Sequence, residues 1–428
     1  MKIAKATIVD PQRNQAYGLG AVTLSLFVFA YSTRFGPVAI LLYYALWLPL
    51  VLIDYRRVLG PYTRYGWIFA FAAVCFLSSF WSAAPGTSLR ASIQYLTHVV
   101  CALIAVRVLA PRTLSRGAMI GCAVVLIYSL LVGSYHYDPL DGSYSFVGAF
   151  SSKNQLGLYA SLGLLFTFTT CFVFRARGIW LALSAVVGII SAYSLLASQS
   201  ATSVITTVAI IALAGTLQVM LRVSPRQRRF LFVAGMIVAI GGSAFALQSG
   251  AMDALLGAFG KDTTLTGRTY LWQQGLEAAG TSPWIGVGYQ GYWVQGFPEA
   301  ERLWDEFFIG SRNGFHFHNT YIETIVETGL LGTVFIVFVL VRTTAGHFRR
   351  LLVLDRSPEA ALLFAVTILL IIRSFVEIDV MHPYQVGSFL LYFAAGSLTL
   401  AQREHRLAPA SSRGRKGRDI RQIPVGTG

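Results

Sequence analysis

The chain has 428 residues, of which 55% are hydrophobic and only 12% charged, with a mean hydropathy of +0.60 and a net charge of +15. A soluble domain carries about 25% charged residues, so this composition excludes one, because only a bilayer can take up so much apolar surface. The basic excess does not point to nucleic acid either, since its distribution follows the two sides of a membrane rather than a single patch.

Apolar runs begin at Tyr17 and recur to Leu400. Each has roughly 17–25 residues, the length that spans about 30 Å of hydrocarbon as a helix. They are continuous, where a β-barrel would show short alternating segments. The first follows Lys2, Lys5 and Arg13, lacks a small-x-small cleavage site and is followed at once by another run, so it reads as a span and not as a cleaved signal peptide. The pattern predicts an all-α polytopic membrane protein with about twelve spans, over 17–33, 37–53, 66–82, 92–109, 117–133, 155–174, 179–197, 202–221, 230–248, 318–341, 359–380 and 385–401. With the N-terminus cytoplasmic, 26 of the 34 basic residues fall in cytoplasmic segments, which places both termini inside. The four cysteines, Cys75, Cys101, Cys122 and Cys171, all lie within apolar runs and read as buried inert thiols, not as disulfides or zinc ligands.

Four regions follow in chain order: spans one to nine over 1–247, a large periplasmic loop over 248–317, spans ten to twelve over 318–401, and a basic tail over 402–428. The tail reads as a disordered anchor near anionic lipid. A smaller outer loop, about 134–152, is rich in Tyr, Gly and Asp. The large loop concentrates acidic residues with several Trp and Tyr, and loops this long in a compact protein are usually functional. Within it, 266–279 has helical spacing, Gly280 is a stop, and 283–293 is a Gly-rich turn.

Two motifs invite a sharper reading and are set aside. Gly286-Val-Gly-Tyr-Gln-Gly291 matches a dinucleotide fingerprint, but the fingerprint needs a βαβ context that this loop lacks. His316 and His318 are spaced as a metal pair in an extended segment, but no Cys or further His lies nearby in the sequence, so no metal and no cofactor is expected.

More telling is the gathering of polar groups at the outer mouths of the helices. Lys153 and Asn154 precede the sixth span, Ser198–Ser203 joins the seventh and eighth, and Arg268 opens the loop helix. Arg312, His316, His318, Asn319 and Glu323 mark the start of the tenth span, and Arg373, Glu377 and Asp379 the outer end of the eleventh. Ionisable residues at membrane depth are costly and functional by default. The plain alternative for Arg373 and Glu377 is an i,i+4 pair on one helix. No ATP exists outside the cytoplasm, so a substrate there must bring its own leaving group, as a lipid-linked sugar diphosphate does. Arginines suit the diphosphate and the charge that grows on it, and a neutral His suits proton removal from an attacking hydroxyl. Trp272, Trp284, Trp293 and Trp304 can stack on sugars or form an interfacial belt.

At these residues the chain resembles the bacterial O-antigen ligase and O-antigen polymerase superfamily, most closely its exopolysaccharide polymerase branch. The carrying motifs are Phe-Ser-Ser-Lys-Asn-Gln-Leu-Gly at 150–157, Gly-Arg-Thr-Tyr-Leu-Trp at 267–272, Ser-Pro-Trp-Ile-Gly-Val-Gly at 282–288, and the stretch from His318 to Leu330, in which Gly329 follows the histidine by the family interval. The resemblance implies a GT-C-like membrane glycosyltransferase of the bacterial inner membrane. It implies metal-independent transfer from an undecaprenyl diphosphate-linked oligosaccharide, with His318 as base and Arg268 as a diphosphate ligand. The family often has a second arginine at a helix mouth. Here Lys153 stands there, without the guanidinium fork, which leaves Arg312 and Arg373 as alternatives. Asn154, His316, Asn319 and Glu323 complete the expected substrate-binding set.

The implied partners are the lipid-linked oligosaccharide, membrane lipids, an acceptor that is either another repeat unit or lipid A-core, and a chain-length regulator. Nucleic acid is not among them. A competing reading is a transporter or flippase of the same lipid-linked glycan, which predicts internal repeats and polar residues at the midplane. The chain shows polar groups at one face instead. A scaffold without chemistry leaves the Arg–His constellation unexplained.

Overall fold

The computed structural model describes residues 5–60, 62–137, 144–250, 257, 267–354 and 357–407. The basic tail beyond 407 and most of 251–266, with Asp253, Lys261 and Asp262, lie outside the described residues. The fold is that of an all-α polytopic membrane protein. The main elements are α1 (Gln15–Trp47), α2 (Gly66–Leu77), α3 (Pro85–Val108), α4 (Pro111–Val132), β1 (Ser134–Tyr137), β2 (Tyr144–Gly148), α5 (Lys153–Phe168) and α6 (Ile179–Ala197). They continue with α7 (Ala201–Met220), α8 (Pro225–Gln248), α9 (Arg268–Thr281), α10 (Pro298–Glu306), α11 (Thr320–Arg349), α12 (Pro358–Ser374) and α13 (Val386–Leu407). Among the described residues, eight helical stretches are long and apolar enough to cross a membrane.

The first of these stretches covers the two spans expected over 17–33 and 37–53. It breaks at Gly36 (φ 60°, ψ −145°), directly before Pro37. Glycine takes this positive φ without a Cβ clash, and proline is suited to restart a helix. The halves fold back on each other: Tyr17 donates to the Leu46 carbonyl, and Trp47 Nε1 donates to Ser25 Oγ at 2.9 Å. α4 lies close against the first half, where Gly117 and Gly121 face Val22 and Leu26. Small residues permit such close backbone approach when lipid supplies no hydrophobic drive between helices. The same device recurs on α5, where Gly157 faces Ser203 and Gly163 faces Ser191.

Two local features depart from the expected helix-and-loop pattern. The smaller loop contains an antiparallel hairpin, with Tyr135 opposite Phe146 and Tyr137 opposite Tyr144. Its alternating aromatic and polar residues have the period of a strand, and β2 delivers the chain to α5. The second departure is in α11, which breaks at Gly329 (φ 64°, ψ −170°).

That break joins two of the motifs. The turn over 282–288 inserts its backbone there: Val287 N–H donates to Val326 O at 3.0 Å and Gly288 N–H to Glu327 O at 2.8 Å. In return, Leu330 N–H donates to Pro283 O at 2.8 Å and Leu331 N–H to Trp284 O at 3.2 Å. Buried backbone polar groups must be paired, and the Gly-rich turn pairs those that the break frees. A Cβ at Gly329 would meet Trp284 C at 2.2 Å, and one at Gly286 would meet Glu327 C at 2.4 Å.

The loop helix forms as α9, and it packs on α11 rather than lying apart. Leu271, Gly275 and Ala279 are buried, with Gly275 against Phe317 and Ile322. α10 is tied to α9 by Arg302, which pairs with Glu306 at 2.6 Å and donates to Tyr270 at 3.2 Å and to Gln274. Between them lies a second apolar core of Leu271, Tyr292, Leu303, Trp304 and Phe317. The described part of the large loop is therefore a packed cap that fixes the segment carrying His318.

Candidate active site

Four segments meet beside this cap: 316–319 ahead of α11, 376–379 after α12, the start of α9, and the start of α5. α12 ends at Ser374, short of the expected 380. Residues 375–379 therefore leave the helix and turn into the site, and the i,i+4 pairing of Arg373 with Glu377 does not form. Arg373 Nε instead donates to Asp379 Oδ2 at 2.5 Å and Nη1 to Ser203 Oγ at 3.4 Å.

Glu377 is the hub, with its side chain 8% exposed. Arg268 Nη2 donates to its Oε1 at 3.0 Å, while Arg268 Nη1 donates to Val376 O at 3.0 Å. Asn154 Nδ2 donates to the same Oε1 at 2.8 Å, and Asn154 Oδ1 accepts from Ser200 Oγ at 2.8 Å. His318 Nδ1 stands 3.6 Å from Oε2, at ion-pair rather than short hydrogen-bond distance. Burial alone would push the Glu377 carboxyl up, but His318 and Arg268 outweigh it and hold the group below its ordinary value of 4.5. Asp379, with one arginine and Glu377 beside it, goes the other way: burial wins and its carboxyl is raised.

The backbone around His318 is held in an uncommon state. His318 has φ 52°, in the left-handed region, which non-glycine residues adopt only where surroundings enforce it. Its N–H donates to His316 Nδ1 at 3.0 Å, and the two rings lie 4.1 Å apart. His316 Nδ1 is thus an acceptor, and burial with His318 alongside holds this ring well below the usual histidine value, so it is neutral. His382, which also acts on His316, is pushed down to about 4 by burial.

The other expected residues take different places. Asn319 caps α11 by accepting from Tyr321 N–H at 3.0 Å and Ile322 N–H at 3.2 Å, and its Nδ2 donates to Phe375 O at 3.0 Å. Glu323 accepts from Phe317 N–H at 2.7 Å and Trp293 Nε1 at 2.9 Å. Both hold the His318 segment from beneath. Lys153 begins α5 beside Asn154, after the Ser152 cap. Arg312 lies apart, paired with Glu301 at 2.5 Å and Asp305 at 3.4 Å. Of the four tryptophans, Trp304 is buried in the cap and Trp284 is 69% exposed. Trp272 donates to Phe317 O at 2.9 Å, and Trp293 is bound to Glu323.

His316, His318 and Glu377 have ligand atoms within 4.8 Å of one another and, among the described residues, form a group that could hold a metal ion. The third ligand that the sequence did not supply is thus brought in by the fold. Against a cation stands the Arg268 guanidinium, 3.0 Å from the same carboxylate. The sequence places Glu377 and the Ser198–Ser203 turn, which holds Ser200, among the polar groups at the helix mouths without giving either a catalytic role. The signal for Glu377 was a charge at the end of an apolar run.

Comparison with known proteins gives the family of the chain. The O-antigen ligase family pattern matches residues 186–337. The exopolysaccharide production protein ExoQ of Rhizobium meliloti (strain 1021) is 59% identical over 403 residues, covering 94% of this chain and 93% of that protein. The chain therefore belongs to the O-antigen ligase family, alongside this exopolysaccharide production protein.

Proposed function

We propose that the protein is a glycosyltransferase that polymerises undecaprenyl diphosphate-linked oligosaccharide repeat units at the periplasmic face of the bacterial inner membrane, with both termini cytoplasmic. The observation that carries this is the grip on Glu377 by Arg268, His318 and Asn154, drawn from three separate elements. A carboxylate at Nδ1 orients the imidazole and stabilises the cation it becomes, which leaves Nε2 to take a proton. In the proposed step, an acceptor hydroxyl attacks the anomeric carbon. The new glycosidic bond forms as the bond to the diphosphate breaks. The hydroxyl proton passes to His318 Nε2, and undecaprenyl diphosphate leaves. Arg268, anchored by Glu377 and Val376 O, offers its remaining N–H groups to the growing phosphate charge. No metal takes part in this reading.

The name of the relative, an exopolysaccharide production protein, favours a repeat unit as acceptor, whereas the match to the O-antigen ligase pattern favours transfer to lipid A-core. One experiment separates them. Purified protein in proteoliposomes is given lipid-linked repeat units alone, with and without EDTA, and products are read as a ladder on a gel. A chelator-resistant ladder is expected. It should fall by about 10³-fold with His318→Ala and return only in part with Arg268→Lys relative to Arg268→Ala. Transfer only after lipid A-core is added would make the protein a ligase. A ladder abolished by EDTA would move His316, His318 and Glu377 to a metal site.

A further inference from the structure

Away from Glu377, a second polar hollow opens in the cap. It has a volume of about 650 Å³ and is bounded by Thr87 and Arg90 of α3, by Gln295 and Phe297, and by Arg312 and Asn313. This is within the roughly 300–1,000 Å³ of small-molecule sites. Its walls are tied in place. Ala83 N–H donates to Val287 O at 2.9 Å and Trp81 Nε1 to Ile285 O at 3.0 Å, which joins the α3 side to the Gly-rich turn. Glu301 accepts from Gly296 N–H at 2.9 Å and pairs with Arg312 at 2.5 Å, which joins the other two walls. A run of rings stands between this hollow and the site: Phe297 on Tyr292 (5.0 Å), Tyr292 on Phe317 (5.2 Å), and Phe315 near His318 (6.2 Å).

The chemistry of the lining selects the ligand. Amides, a hydroxyl and guanidinium groups surround one aromatic face, which suits a hydroxyl-rich molecule with apolar C–H faces and does not suit an apolar one. Arg312 is neutralised by Glu301 and Asp305, whereas Arg90 makes no ion pair with any described residue. Arg90 is therefore the position for an anionic substituent. On another flank of the same helical turn, Gly86 and Leu89 line an apolar notch of about 290 Å³ with Phe76 and Phe80.

We infer that this hollow is a second carbohydrate subsite, which holds an acidic oligosaccharide several sugars from its reactive end, with Arg90 on the acidic group. The inference rests on the reading of the protein as a glycan transferase and adds where the chain is held. Its test uses full-length His318→Ala protein in nanodiscs, so that nothing turns over. The probe is the water-soluble oligosaccharide released by mild acid from the lipid-linked glycan of the producing cells, before and after chemical reduction of its carboxyl groups. Titration calorimetry should show saturable binding. Gln295→Ala with Asn313→Ala should weaken it at least tenfold at an unchanged size-exclusion profile. Arg90→Ala should weaken the native probe and leave the carboxyl-reduced one unaffected. Absence of saturable binding, or binding indifferent to the double substitution, overturns the subsite. Equal effects of Arg90→Ala on both probes overturn the anionic contact. Because the probe has neither diphosphate nor lipid, a silent ladder assay with intact binding removes the transferase reading alone, and a ladder without cavity binding removes the subsite alone.

Discussion

Glu323 and Glu377 are both buried carboxylates that hold the same short stretch of backbone, and they are held in opposite ways. Glu323 lies on α11 and accepts from two neutral donors, the Phe317 N–H and the Trp293 indole. Glu377 lies in the turn after α12 and faces a guanidinium, an imidazole and an amide, while its own carbonyl accepts from Thr320 Oγ1 at 2.7 Å. Neutral donors satisfy a carboxylate and leave it passive. Charged and titratable donors couple it to whatever those groups do next. The difference separates scaffold from chemistry within one small region, and it can be tested by replacing each carboxyl with its amide.

The largest effect is expected at Glu377. Glu377→Gln keeps the size of the side chain but removes the charge that orients His318 and anchors Arg268. Chain growth should fall by about 10² or more, measured as the initial rate of ladder formation. The acid stability of the protein reports the same charge. The folded-state value of Glu377 is depressed, so its contribution is complete above the ordinary 4.5 and drains away as pH falls below that toward the folded value. Thermal melts across pH 3–6 should therefore show a steeper acid loss in the parent than in Glu377→Gln. Equal slopes would mean that the carboxylate is not ionised as described.

Next is Gly329, where scaffold and chemistry share a backbone. Gly329→Ala puts a side chain at φ 64° and its Cβ 2.2 Å from Trp284 C. This combination of positive φ and extended ψ, essentially confined to glycine, costs on the order of 1–3 kcal/mol for another residue, and the clash adds to it, since backbone rather than a flexible side chain must give way. The melting temperature should drop, and activity should fall with it as the 282–288 turn lifts from α11. Unchanged stability would show that the break is not tied to that turn.

These residues also mark what could be read from sequence. His318, Arg268 and Asn154 stand out because polar groups are rare in so apolar a chain and these sit together at helix mouths. The Gly36–Pro37 break is legible for the same reason as any turn. Glu377 is harder. Phe375 and Val376 continue the apolar run of α12, so hydropathy carries the span past Ser374, and nothing local announces that the chain turns there. Gly329 reads as one more small residue in a span, because its positive φ follows from the distant turn that packs on it. Trp304 and Trp284 are chemically alike in the sequence, yet one is buried and the other exposed, since Trp304 lies on the side of α10 that meets the cap core and Trp284 stands on the 282–288 turn.

The smallest effect is expected at Glu323, and it is the one that decides whether the division holds. Glu323→Gln retains one oxygen that can accept from either Phe317 N–H or Trp293, but turns an NH₂ toward the other donor. One hydrogen bond is lost and one buried donor is left unpaired, a cost of about 1–3 kcal/mol. That loss falls on the cap, whose core of Trp304, Tyr292 and Phe317 remains. Rate should drop less than about tenfold while the melt shifts visibly, the reverse of the pattern at Glu377. If Glu323→Gln instead stops chain growth as completely as Glu377→Gln at an intact melt, then this second acid takes part in the reaction, and the two act as one site.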